Sequence, residues 1–162
     1  MGPVIPIKAA EMKIKETDFG VAFMLKGIGG LLGSYVVPYM EHYLKLNKIV
    51  CLCCALLGIC SVVLADTLSI VVFSLTMFLV GMTIMVINIL ATVALIRIMN
   101  KTSTEAWIKA LHMTFGIGAF LSPLCISWVG PLAFKLYPAL ALVLTLLLLF
   151  YDHPPSERTS TV

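Results

Sequence analysis

Long apolar runs alternate with short polar stretches along the whole sequence. The runs cover residues 19–39, 49–65, 69–98, 102–129 and 131–151. A helix needs roughly 20 apolar residues to cross the hydrocarbon core of a bilayer. Inside lipid, a helix also satisfies every backbone hydrogen bond within its own segment. The pattern therefore predicts an all-α transmembrane bundle of about five spanning helices.

Capping and breaking residues define the ends of these helices. Thr17 or Asp18 is a suitable N-cap for the first helix. Thr102 and Glu105 have the spacing of a capping box and begin the fourth helix. Pro138 is expected to kink the fifth. We divide the chain into a short polar N-terminal segment, a five-helix bundle and a polar tail, at residues 1–16, 17–151 and 152–162.

Composition supports a membrane protein. Hydrophobic residues make up 60% of the 162 residues and charged residues only 12%, with a mean hydropathy of +1.06. A soluble domain is roughly half apolar and about a quarter charged. The net charge of +3 lies in short loops, so we expect the lipid bilayer and no nucleic acid as a partner.

The distribution of basic residues predicts the orientation of the bundle. Lysines and arginines are concentrated in the 41–48 loop, the 97–109 connection and the C-terminal tail, which an odd number of helices places on one side. By the positive-inside rule that side faces the cytoplasm or its topological equivalent. The N-terminus is expected on the opposite side, and no signal peptide precedes the first apolar run.

Catalytic and metal-binding patterns are scarce. Cys51, Cys53 and Cys54 have a C-x-C-C spacing, but no histidine or carboxylate lies near them in sequence. Free cysteine behaves as a small apolar residue, so we interpret all five cysteines as packing residues. The chain has three histidines and no H-x-x-x-H pair or carboxylate pair on a predicted helix. We expect no enzymatic activity, no metal and no cofactor.

Three polar residues inside the apolar runs are candidates for a substrate cavity, and each has a structural alternative. Lys26 would cost about 2.5–3.5 kcal/mol or more to bury as a charge, unless its stem extends to the headgroups. Asn88 lines a cavity or forms hydrogen bonds between helices. His112 serves as a proton relay or substrate donor, or is satisfied by a neighbouring helix.

Small residues at helical spacing are candidates for close helix packing. They occur in the first and fourth predicted helices, with one proline among them. The set is Gly27, Gly30, Gly33, Ser34, Gly116, Gly118 and Pro123.

Two motifs and two shorter matches resemble the major facilitator superfamily of transporters. Trp107 followed by ALHMTFGIGAFLSPL at 110–124 is similar to the fifth-helix pattern W…LH-x-x-FG-x-G-A-x-L-S-P-L of the branch that contains sodium-dependent glucose transporters. KGIGGLLGS at 26–34 resembles R-x-L-G-x-L-L-G-S of helix two, and Asn88, seven residues after Gly81, resembles the helix-four pattern. Met1-Gly2-Pro3 is similar to the L-G-P that closes helix one. The resemblance implies helices two to six of an N-terminal half.

This resemblance also shows what the family has and this sequence lacks. Helix one and the C-terminal half have no counterpart. The family's latch after helix two, G-x-L-x-D-R-x-G-R-R/K, corresponds to residues 37–46, which keep one acid but neither the glycines nor the arginine. Alternating access needs two bundles around a shared site.

We therefore expect an accessory subunit of a larger membrane complex, partnered by other transmembrane chains or a second copy. A half-transporter of a sugar or small organic solute, working with a partner half, is the alternative. An organellar inner membrane of the mitochondrial type and the plasma membrane both remain open as locations. We also expect a helix from another polypeptide, or from a second copy, to occupy the place of helix one.

Overall fold

The computed structural model describes residues 5–98, 104–129 and 133–150, and across these residues the regular structure is entirely helical. A 3-10 turn, Glu16–Asp18, precedes the second helix. The α-helices within these ranges are α1 (Ile5–Met12), α2 (Phe19–Tyr43), α3 (Leu46–Asp66), α4 (Ile70–Ile98), α5 (Thr104–Val129) and α6 (Ala133–Phe150). The predicted all-α class is confirmed.

Four segments in the described part of the chain are long and apolar enough to cross a membrane. They are Glu16–Tyr43, Leu46–Asp66, Ile70–Arg97 and Glu105–Cys125, and they coincide with the first four predicted spans. α6 forms where the fifth is predicted; its 18 residues give a length of about 27 Å, close to the roughly 30 Å of a hydrocarbon core. The protein is a membrane-spanning helical bundle.

Two helix ends differ from the sequence prediction. α2 continues through Pro38 to Tyr43, so the expected 41–48 loop shrinks to two residues. The Leu44 amide still donates to the Met40 carbonyl oxygen at 2.9 Å, because a proline removes only one donor from the ladder. Asp18 directly precedes α2, as predicted for an N-cap. Its carboxylate, however, accepts a hydrogen bond from the Lys15 amide at 3.2 Å and not from an amide of α2. Thr102 and Pro131 lie outside the described residues.

The N-terminal segment contains a helix, α1, which the sequence analysis did not predict. Ala9 is buried in the cluster that α2, α3 and α4 share. The buried Lys8 ammonium donates to the Ala65 carbonyl oxygen at 2.5 Å and pairs with Glu11 at 2.8 Å. A cation at the C-terminal end of a helix is favoured by the helix dipole. α1 is therefore fixed against the end of α3.

The closest helix contact joins α2 to α4, which run parallel because α3 returns the chain between them. A methyl group built on Gly33 would lie 2.5 Å from the Met82 carbonyl oxygen. Gly29 likewise meets the Phe78 carbonyl group. Only glycine permits this backbone approach, which is typical of small-residue contacts between membrane helices.

α3 lies between α4 and α6. Gly58 faces Ala141 of α6, with 3.6 Å between the Ala141 Cβ and the position a Cβ would take on Gly58. The Cys51 thiol lies 3.8 Å from the Thr145 carbonyl oxygen, and Cys53 packs in the core with α2 and α4. The four cysteines of α3 are buried, which fits their interpretation as packing residues. Cys125 lies on α5 and is exposed, so it does not pack within the described part of the chain.

Candidate functional site

Lys26 lies in the first third of α2 and is half-buried. Its backbone carbonyl lies where a Cβ on Gly81 of α4 would have to sit, so the two helix backbones are in close contact at its level. Lys26 follows Phe19 by seven positions, which corresponds to about 10 Å of helix. Within the described residues its ammonium group has no ion pair. This cation therefore lies inside the span, near enough to the α2 start for its stem to reach a headgroup.

Asn88 is half-buried on α4. Its backbone carbonyl accepts a hydrogen bond from the Thr92 hydroxyl at 3.0 Å. It follows Gly81 by seven residues, which places it about 10 Å further along the bundle than the level of Lys26. Lys26 and Asn88 therefore lie at different depths.

His112 is exposed on α5. It lies eight residues after the first residue of α5, or about 12 Å along that helix, while Asn88 lies about 15 Å before the end of α4. The end of α4 and the start of α5 are on the same side of the bundle, so Asn88 and His112 lie at similar depths on successive helices. Counted along the helices at about 1.5 Å per residue, these two residues lie at about one level and Lys26 lies nearer the other side.

The predicted packing residues of α2 occupy different environments. Gly33 is buried against Met82, whereas Gly30 has ordinary contact, its Cβ position lying 3.7 Å from the Gly81 carbonyl oxygen. The Ser34 hydroxyl donates to the Leu31 carbonyl oxygen within its own helix at 2.6 Å. Gly27 faces open space. One side of α2 therefore packs against other helices of the chain. The side that carries Gly27 is not covered by any other described helix.

α5 has no buried side chain among its described residues. Gly116 and Gly118 both face open space, with nothing within 4 Å of a Cβ built on either, and Pro123 is half-buried. Phe120 is 71% exposed and Trp128 is 88% exposed. The helix that carries the most specific sequence motif is thus the one that the rest of the chain covers least.

Sequence reasoning missed two polar contacts. Lys8 lies in the segment predicted to be short and polar, and its burial is explained by its hydrogen bond to the Ala65 carbonyl oxygen, 57 positions away. Glu41 pairs with Arg97 at 3.1 Å. Glu41 is the one acidic residue that the 37–46 stretch shares with the family's latch, and this was the sequence feature that could have indicated an ion pair. Among the described residues no group of three or more His, Cys, Asp or Glu is placed to hold a metal ion.

Comparison with known proteins adds no relative. No family model matches the chain, and no curated protein matches it at a significant level. The geometry of the described helices and the resemblance of the two motifs are therefore the basis for any functional assignment.

Proposed function

We propose that this chain is a non-enzymatic accessory subunit of a larger membrane complex, with a bundle similar to part of a transporter half. The observation that carries the proposal is the exposure of α5. Every side chain from residue 112 to residue 121 is exposed, and no side chain of the Glu105–Cys125 span is buried within the chain.

The glycines of α5 favour a protein partner over lipid. Gly116 and Gly118 leave shallow depressions with open space above them. Lipid chains pack poorly against such depressions, whereas a second helix can approach closely and gain van der Waals contact. A helix from another chain would fill the space that this chain leaves open.

His112 points to the same conclusion from its polarity. It lies about 12 Å inside α5 and its side chain is exposed. A polar group without a hydrogen-bond partner in hydrocarbon is costly, and polar side chains within membrane spans usually face other helices or water. His112 and Gly116 are four residues apart and share one face of the helix, so one partner would cover both.

The test is to place a leucine on the open face of α5. In the tagged full-length protein, Gly116→Leu should release the chain from its native complex, because the larger side chain blocks close approach of the partner. The bundle itself should stay folded, since no atom of another described helix lies within 4 Å of a Cβ at position 116. Native gel migration after mild solubilisation reports release, and helical circular dichroism reports folding.

Gly20→Leu is the matched control. Gly20 is also exposed and faces open space, but it lies in the first turn of α2, away from α5. This variant should remain in the complex. If Gly116→Leu and Gly118→Leu both migrate with the full complex as the wild type does, the proposal is wrong.

A half-transporter of a sugar or small organic solute is the second candidate. The similar depths of Asn88 and His112 on α4 and α5 favour it, because two polar side chains at one level are what a solute site between helices needs. Solute uptake into proteoliposomes distinguishes the two functions. Uptake by the purified complex that is lost in Asn88→Leu, with assembly intact, would favour transport over the accessory role.

A further inference from the structure

The turn between α2 and α3 exposes aromatic and basic side chains together. Tyr39 is 72% exposed and Tyr43 is 81% exposed. They are one helical turn apart and therefore lie on the same side of α2. Lys45 and Lys48 follow directly and are also exposed. His42 stacks edge-on against Tyr43, with ring centroids 5.0 Å apart.

Three helix ends place this turn at the membrane surface. α2 ends at Tyr43 and α3 begins at Leu46, and the apolar span of α4 ends at Arg97, which reaches Glu41. Tyrosine is enriched at this level because its ring prefers the apolar side and its hydroxyl the polar side of the interface.

The charges at this end leave the two lysines without an acidic partner. Glu41 is paired with Arg97 at 3.1 Å, and Glu105 is paired with Lys109 at 2.6 Å. These are the acidic residues at this end within the described part of the chain. Within the described part of the chain, Lys45 and Lys48 form no ion pair, so no described acidic residue compensates the two positive charges beside the tyrosine row.

We propose that the α2–α3 turn binds the headgroup of an anionic phospholipid. The ammonium groups of Lys45 and Lys48 contact the phosphate oxygens, and the rings of Tyr39 and Tyr43 lie along the glycerol and the upper acyl chains. A lipid fits this surface because its negative headgroup lies at the polar side of the interface, with the lysines, and its alkyl chains lie at the apolar side, with the tyrosine rings.

Native mass spectrometry of the full-length protein in detergent tests this site. The protein is mixed with equal amounts of phosphatidylglycerol and phosphatidylcholine, and the ratio of bound lipids is measured. The wild type should bind phosphatidylglycerol preferentially. Each lysine near an anionic surface contributes about fivefold in affinity, so Lys45→Gln combined with Lys48→Gln should remove most of the preference.

Lys13→Gln combined with Lys15→Gln is the matched control, because it removes the same charge from exposed positions on the opposite side. This variant should keep the preference. Equal binding of the two lipids by the wild type, or an unchanged preference in the Lys45 and Lys48 variant, would overturn the proposal.

Two further measurements exclude other occupants. Inorganic phosphate should not displace the bound lipid at equal ionic strength; displacement would indicate a free-anion site instead. The Lys45 and Lys48 variant should also remain in the native complex. Release of that variant with an unchanged lipid ratio would assign the turn to an acidic segment of a partner chain and contradict the lipid site. The Gly116→Leu test of the accessory role uses a different helix, so the two proposals can fail separately.

Discussion

At the scale of single residues, glycines determine how closely α2 and α4 pack, because a glycine has no side chain to separate the two backbones. Gly33 and Gly30 are neighbours in the same motif, and the sequence predicts packing for both. The structure separates them, because the Cβ position of Gly33 lies 2.5 Å from the Met82 carbonyl oxygen and that of Gly30 lies 3.7 Å from its nearest atom. Sequence spacing alone does not show which of two glycines three positions apart faces the partner helix.

This difference gives a paired prediction. Gly33→Ala should lower the free energy of unfolding by about 1–3 kcal/mol, because a methyl group there must push the α4 backbone away. Gly30→Ala should leave stability unchanged or raise it by up to about 1 kcal/mol, because alanine is the better helix former. Denaturant unfolding in detergent micelles, followed by circular dichroism, measures both. Equal effects of the two substitutions would contradict the close α2–α4 contact.

At the scale of elements, the apolar runs were sufficient to predict the spanning helices but not α1. The first sixteen residues contain two prolines and several charges. This composition does not predict a helix, although eight of these residues form one. That helix is held in place because Ala9 packs in the core and the Lys8 ammonium donates a hydrogen bond to the end of α3. Both contacts join residues far apart in sequence, and no local pattern reports them.

Lys8→Met should therefore loosen α1 while leaving the spanning helices in place. Methionine fills the buried site but cannot donate to the Ala65 carbonyl oxygen, and an unsatisfied buried acceptor costs about 1–3 kcal/mol. Hydrogen exchange of residues 5–12 should become faster, with no change in α4. Lys15→Met, at an exposed position, is the control and should leave exchange unchanged. Unaltered protection of α1 in Lys8→Met would show that this bond does not hold the helix.

At the scale of the whole molecule, the order of helices follows from the sequence but their arrangement does not. α4 is apolar on every side, so its periodicity does not distinguish the side that faces α2 from the side that faces α3. The pairing of α3 with α6 likewise joins residues far apart in sequence, such as Gly58 with Ala141 and Cys51 with Thr145. The candidate cavity residues could be predicted from their polarity alone. That Lys26 lies at a different depth could be recognised only from the parallel alignment of α2 and α4 in the structure.

The proposed role depends on what covers α5, and photo-cross-linking from position 116 in native membranes measures this directly. With a photoreactive residue replacing Gly116, we predict a cross-link to a separate polypeptide or to a second copy of this chain. The same residue at Met77, which is fully buried, should give adducts only within the chain. If position 116 yields lipid adducts alone, α5 faces the bilayer and the accessory-subunit account is wrong.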